Sequence, residues 1–237
     1  KNIKSLFQEI LTAPWYAFPI ISKEVTVLQI QLNFFDALAD MLCLSPVFLA
    51  GFLISGLLAL LVIRKGTALS GFRLLAGSFL FYYYLCILFK HVVGMPTLAE
   101  FLRMYRTGES LFHPVLSLIP FQDGFSISFL LNIVLFLPMG FLCPVISVKC
   151  QHPAKCLLMG TALTVFVETG QMFTMYRATD IDDLAANILG TLLGYLVYRV
   201  VFRGDSIRYE TEAQYAGKDW LLPVGIVGVA FVMTFFS

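Results

Sequence analysis

Six apolar runs, near 46 to 63, 71 to 89, 125 to 146, 155 to 173, 181 to 200 and 220 to 236, constrain this chain more than anything else in it. Each is close to the length, about 18 residues or more, that a helix needs to cross the ~30 Å hydrocarbon core of a bilayer. Inside lipid the backbone finds no water to bond, so only helices or closed barrels span it, and continuous runs of this length read as helices. The expected fold is therefore all-α: a polytopic membrane helix bundle with about six transmembrane helices over residues 46–237. Composition agrees, because 59% hydrophobic and 13% charged residues in a chain of 237 leave too few polar side chains to cover a water-soluble globule.

Charge sets the orientation. The 16 basic and 15 acidic residues leave a net charge of +1, so no global positive field exists to concentrate nucleic acid, which is not an expected partner. The basic residues instead cluster in the short loops after the first, third and fifth runs: Arg64, Lys65 and Arg73, then Lys149 and Lys155, then Arg199, Arg203 and Arg208. By the positive-inside rule these three loops are expected to be cytoplasmic and both chain ends to face outward. No basic, apolar and small-residue leader pattern opens the sequence, so insertion is expected to rely on the spans themselves. Of the five cysteines, Cys86 and Cys143 lie inside apolar runs and Cys150 and Cys156 flank a short loop, without metal-ligand spacing; they read as small core residues.

Residues 1 to 45 mix apolar stretches such as PWYAFPII with Lys23, Glu24, Asp36 and Asp40, too broken to span, and are expected to form an N-terminal arm lying in the interface. Between the second and third spans, Thr97 and Glu100 make a capping-box pattern, Leu98, Phe101, Leu102 and Tyr105 follow at helical spacing, and Gly108 supplies a stop. This predicts a short amphipathic helix that presents Arg103 and Arg106 to water or to an anionic group. With the apolar run LFHPVLSLIPF after it, the segment reads as an outer lid; the plainer alternative is a surface helix whose arginines meet lipid headgroups.

Ionisable groups inside a span cost about 2.5 to 3.5 kcal/mol at the bilayer centre and less near the interface, so each needs a reason. Glu168 stands about five residues before the outer end of the fourth run, and Gln171 follows one turn later on the same face. A protonated Glu168 bonding a neighbouring helix is the structural alternative. At the start of the fifth run, Thr179 is placed to cap the helix, with Asp182 completing an acidic cap, which gives Asp180 and Asp182 a structural role at the positive helix end. Asp183 and Asn187 lack that role; Gly190 and Gly194 continue their stripe and point to close helix packing. Asn132 enters from the third run, above Pro138 and Gly140, which kink a helix or free a carbonyl. Asn132, Glu168, Asp183 and Asn187 are thus expected at similar depth in a polar pocket, with Arg177 as counter-ion and Arg103, Arg106 and His113 approaching from the lid.

The blocks SLIPF at 117 to 121, LNIVLFLPMGFL at 131 to 142, ETGQ at 168 to 171 and YRATDIDDLAANILGTLLGY from 176 resemble the signatures of the VanZ-like membrane proteins, over about residues 115–200. Ser117 departs from that pattern, which has Asn before LIPF. Carried over, the resemblance picks out Pro120, Phe121, Asn132, Pro138, Gly140, Glu168, Gln171, Arg177, Asp180, Asp182, Asp183, Asn187, Gly190 and Gly194. It implies a bacterial cell-envelope protein associated with low-level resistance to teicoplanin-type glycopeptides; with the spans and the positive-inside loops, the expectation is a multi-pass protein of the bacterial cell membrane whose acidic motif faces the extracytoplasmic side.

The expectation ranked first is a pocket that binds or processes an outer-leaflet envelope molecule, a lipid-linked wall precursor or a lipoglycopeptide. In it Glu168 and Asp183 would be candidates for acid–base work, and Arg177, Gln171, Asn132, Asn187, Asp180, Asp182, Arg103 and Arg106 for ligand binding. Asp180, Asp182 and Asp183 are also candidates to gather a divalent cation, a weaker reading than a full oxygen cage would give. A small proton-coupled transporter or flippase, and a non-catalytic shield or scaffold, are the alternatives. No serine or cysteine nucleophile motif stands out, and whether the chain is an enzyme stays open.

Overall fold

The computed structural model describes residues 45–67, 69–108, 110, 112, 116–117, 127–173, 179–202 and 220–237. The expected interfacial arm, most of the LFHPVLSLIPF segment, His113 and Arg177 lie outside the described residues.

Local sequence explains where the helices begin and end. Helix α1, Pro46–Lys65, opens on a proline, which needs no amide partner there, and closes at Gly66 with φ 89°. Helix α2, Gly71–Ile87, is capped by Ser70, whose hydroxyl accepts from the Arg73 amide at 3.3 Å, and it runs on as a π-helical turn over Leu88–Val93. Helix α3, Leu98–Thr107, has the expected capping box: Thr97 Oγ1 accepts from the Glu100 amide at 3.3 Å, while Glu100 Oε2 accepts from the Thr97 amide at 2.8 Å. Gly108, at φ 71°, adopts the left-handed conformation that ends it. Then come α4 (Ile127–Ile146), a 3-10 turn at Lys149–Gln151, α5 (Pro153–Gln171), α6 (Ile181–Val201) and α7 (Leu221–Phe235). A two-residue parallel pairing joins β1 (Leu116–Ser117) to β2 (Thr179–Asp180).

Helices thus occupy all six apolar runs. Four are long and apolar enough to cross a membrane: α1, the stretch opening with α2, α4 and α6. Helix α5 has the length but carries Lys155, Thr161, Thr164, Glu168, Thr169 and Gln171, and α7 has 15 residues, which at 1.5 Å per residue gives about 22 Å. Large apolar side chains such as Leu53, Leu130, Leu131, Val134 and Leu158 are exposed around the bundle, as expected where lipid is the solvent.

Helices α4 and α6 pack most intimately, and glycine is the reason. A Cβ on Gly190 would strike the Ile133 carbonyl, one on Gly194 the Leu137 carbonyl, and one on Gly140 the Thr191 carbonyl, all of them backbone. Residue numbers rise together across this interface, so the two helices run parallel; the glycines serve packing, as in small-residue membrane interfaces. Helix α5 packs on α6 in the opposite sense, with Gly160 against the Thr191 side chain and Asn187 Nδ2 donating to Thr164 Oγ1 at 2.7 Å.

Pro144 of α4 leaves a carbonyl that another helix satisfies, and the end of α4 is capped by Arg73. Pro144 has no amide to offer Gly140 O, and Cys156 Sγ donates to that carbonyl at 3.6 Å. At the helix end Arg73 donates from Nε to Val145 O at 3.1 Å, and from Nη2 to Pro144 O at 3.4 Å and the Tyr198 hydroxyl at 3.1 Å, while its guanidinium lies 4.4 Å from the Phe202 ring centre. The arginine read in sequence as a topology signal is therefore also the cap of α4.

Candidate functional site

The polar residues of α5 and α6 form one buried column between the two helices. At its deep end Tyr195 donates to Gln151 O at 2.7 Å, and one turn up Thr191 donates to its own helix at Asn187 O, 2.9 Å. Next comes the Asn187 to Thr164 bond at 2.7 Å, both residues buried. Gly160 against Thr191 and Thr164 against Asn187 fix the antiparallel register, because each step of four on α5 matches a step of four back on α6. The next step pairs Glu168 with Asp183, placing the two carboxyl-bearing residues at one level, a turn nearer the end of the bundle. Gln171 follows at the level of β2.

Burial grades along this column. Glu168 and Gln171 are each 5% exposed and Asn187 is 2% exposed, whereas Asp180, Asp182 and Asp183 are half-buried at the mouth. A carboxyl as buried as Glu168 has to be engaged, and Glu168, Gln171, Asp182 and Asp183 each have a polar or electrostatic contact. Asn187 Oδ1 is buried and accepts no hydrogen bond among the described residues, while the amide of the same side chain goes to Thr164.

Three expectations change in detail. The cap of α6 is Asp180, the second residue of β2, whose Oδ1 accepts from the Asp182 amide at 2.9 Å; the helix begins at Ile181, so Thr179, expected as the cap, stands one residue too early. Asp is the equal of Thr in this role. Asn132 is set apart from Asp183: Ile133 faces Gly190, so Asn132 lies about 9 Å deeper than Asp183 and about 3 Å deeper than Asn187 by helical rise, half-buried and with no hydrogen bond among the described residues. Finally, no group of three or more His, Cys, Asp and Glu among the described residues is arranged to hold a metal ion, Asp180, Asp182 and Asp183 included. Asp180 turns back to cap the helix, and Asp182 and Asp183 point about 100° apart as neighbours on a helix.

Arg103 and Arg106 are exposed on α3, at the same end of the bundle as Glu168, since Phe101 of α3 and Phe173 at the end of α5 flank one apolar cleft. The basic residues Arg64, Lys65, Arg73, Lys149, Lys155 and Arg199 mark the opposite ends of the same helices.

The family model described as VanZ/LLP1 matches residues 79–203, more than half of the chain. The chain belongs to the VanZ/LLP1 family. No curated protein and no solved structure matches it. The VanZ/LLP1 match begins further upstream than the block resemblance, within α2, and so takes in α3 with Arg103 and Arg106 as well as the column of α5 and α6. Arg73 and α7 lie outside it.

Two features of this VanZ-family membrane protein escaped sequence reasoning. Thr164 anchors the register yet was unremarked; standing one turn before Glu168, it completes a 164, 168, 171 polar stripe that helical spacing alone reveals. Gln151, whose backbone receives the Tyr195 hydroxyl, carries no sequence signal, because a carbonyl acceptor is common to every residue.

Proposed function

We propose that this VanZ-family membrane protein binds or processes an outer-leaflet envelope molecule, a lipid-linked wall precursor or a lipoglycopeptide, at the mouth of the α5 and α6 column. The observation that carries the reading is Glu168, 5% exposed within an apolar bundle and level with Asp183. Lipid-facing interfaces do not require such a residue, and one is retained at a cost of up to a few kcal/mol. Glu168 acts as general acid or base, Asp183 as its partner on the facing helix, and Asn187 Oδ1 as an acceptor for a ligand donor. Arg177 holds the phosphate or carboxylate of the bound molecule. The basic ends of the helices, opposite the column mouth, support an extracytoplasmic mouth through the positive-inside rule.

The test is teicoplanin susceptibility of a sensitive bacterium expressing wild type or Glu168→Gln at matched membrane levels. Glutamine keeps the shape of the protonated acid and removes the proton transfer. Protection by wild type alone supports the reading; equal protection by both proteins retires Glu168 as an acid–base group and favours a passive shield. Single-cysteine labelling at position 178 in a cysteine-free background tests the orientation, and reaction only from the cytoplasmic side overturns it.

A further inference from the structure

A cleft of about 210 Å³ lies between the lid helix α3, the end of α5 and α7, walled by Met95, Phe101, Phe166, Thr169, Phe231 and Phe235. An apolar cavity of about 150 Å³ can take up a small hydrocarbon. This one is larger, has a single hydroxyl in its wall, and is framed by rings in mutual contact: Phe166 and Phe231 at 5.2 Å and Phe101 and Phe235 at 6.5 Å between centroids. It belongs to a different surface from the polar column. On α5, Phe166, Thr169 and Phe173 fall on one side, while Thr164, Glu168 and Gln171 fall on the other.

The lid helix supplies the charge. Its acid, Glu100, is committed to the capping box, receiving the Thr97 amide at 2.8 Å. Arg103 and Arg106 are exposed and form no ion pair among the described residues. They stand across α3 from Phe101, so a chain lying under the helix leaves its head at the helix edge, within reach of two long side chains that bury their stems and extend their charged ends.

We infer that this cleft holds a hydrocarbon chain of an anionic membrane phospholipid, whose phosphate is bound by Arg103 and Arg106. This lipid is a resident of the lid, distinct from the molecule proposed for the polar column, and the inference does not depend on that reading. The lid then docks on α5 and α7 through a lipid chain.

Native mass spectrometry of the full chain, extracted from vesicles of equal phosphatidylglycerol and phosphatidylcholine, tests it. Wild type is expected to retain phosphatidylglycerol over phosphatidylcholine by roughly 30-fold, from about 1 kcal/mol for each of two arginines. Arg103→Gln with Arg106→Gln brings the ratio near one while lipid is still retained. Thr169→Phe, which fills the cleft, abolishes retention of both lipids at an unchanged melting temperature; Thr169→Leu replaces it should the larger side chain unfold the protein. Glu168→Gln leaves retention as in wild type. Equal retention of the two lipids by wild type, wild-type retention by the filled variant, or no lipid on wild type at all, as a cleft filled by the chain's own remaining residues would give, overturns the inference.

Discussion

Replacing Thr164 by Val and Asn187 by Leu, singly and together, tests the register on which the site is built. The bond from Asn187 Nδ2 to Thr164 Oγ1 is 2.7 Å long and both residues are buried. Interhelical hydrogen bonds in membrane proteins contribute about 0.6 kcal/mol on average and up to about 1.7. This one is short and fully enclosed, so a coupling energy near 1 kcal/mol is expected. The single variants are not equivalent. Thr164→Val strands an amide beside an Asn187 Oδ1 that already accepts nothing, at a cost of about 1 to 3 kcal/mol. Asn187→Leu leaves only a threonine hydroxyl, which can turn back to the carbonyl one turn earlier on its own helix, so its cost is smaller. The double variant removes both polar groups and is expected to be more stable than Thr164→Val alone. Reversible unfolding in bicelles measures all four proteins. Strictly additive single effects would show that the two side chains do not meet, and the pairing of Glu168 with Asp183 would fall with them.

Three further outcomes follow from the packing and the caps. Gly194→Ala drives a Cβ into the Leu137 carbonyl and is expected to cost about 1 to 3 kcal/mol as α4 and α6 separate, whereas Gly228→Ala, with nothing within 4 Å, is expected to stabilise α7 by up to about 1 kcal/mol; thermal melting distinguishes them. Arg73→Ala removes the forked cap of α4 and lowers stability by about 1.5 to 3 kcal/mol, and Arg73→Lys recovers only part of it because an ammonium cannot reproduce the fork; the same melts report both. Thr97→Ala opens the capping box at a cost of about 1 kcal/mol, read as faster amide exchange over residues 98–101 with the transmembrane helices unaffected.

How much of this was legible beforehand depends on how local each feature is. The capping box of α3, its glycine stop and the packing role of Gly190 and Gly194 depend on residues close in sequence or on bare small-residue spacing, and they read correctly. Helix positions followed from apolar length. Depth was readable only within one helix, because the offset between helices is set by their contacts: Gly190 seats against Ile133, which puts Asn132 about 9 Å below Asp183, while the Asn187 to Thr164 bond brings Glu168 and Asp183 to one level. The choice between Thr179 and Asp180 as cap was a matter of one residue at the helix start, a boundary that two adjacent capping residue types leave open. Arg73 looked like a topology signal because its partners are carbonyls of another helix, which carry no mark in the sequence.

Mass spectrometry of lipid-linked wall precursors, from cells expressing wild type or Glu168→Gln at matched membrane levels, tests the proposed function most directly. The account predicts that wild type alone shifts the composition or abundance of those precursors. An identical precursor pool in both cultures, with glycopeptide protection intact in both, would contradict it.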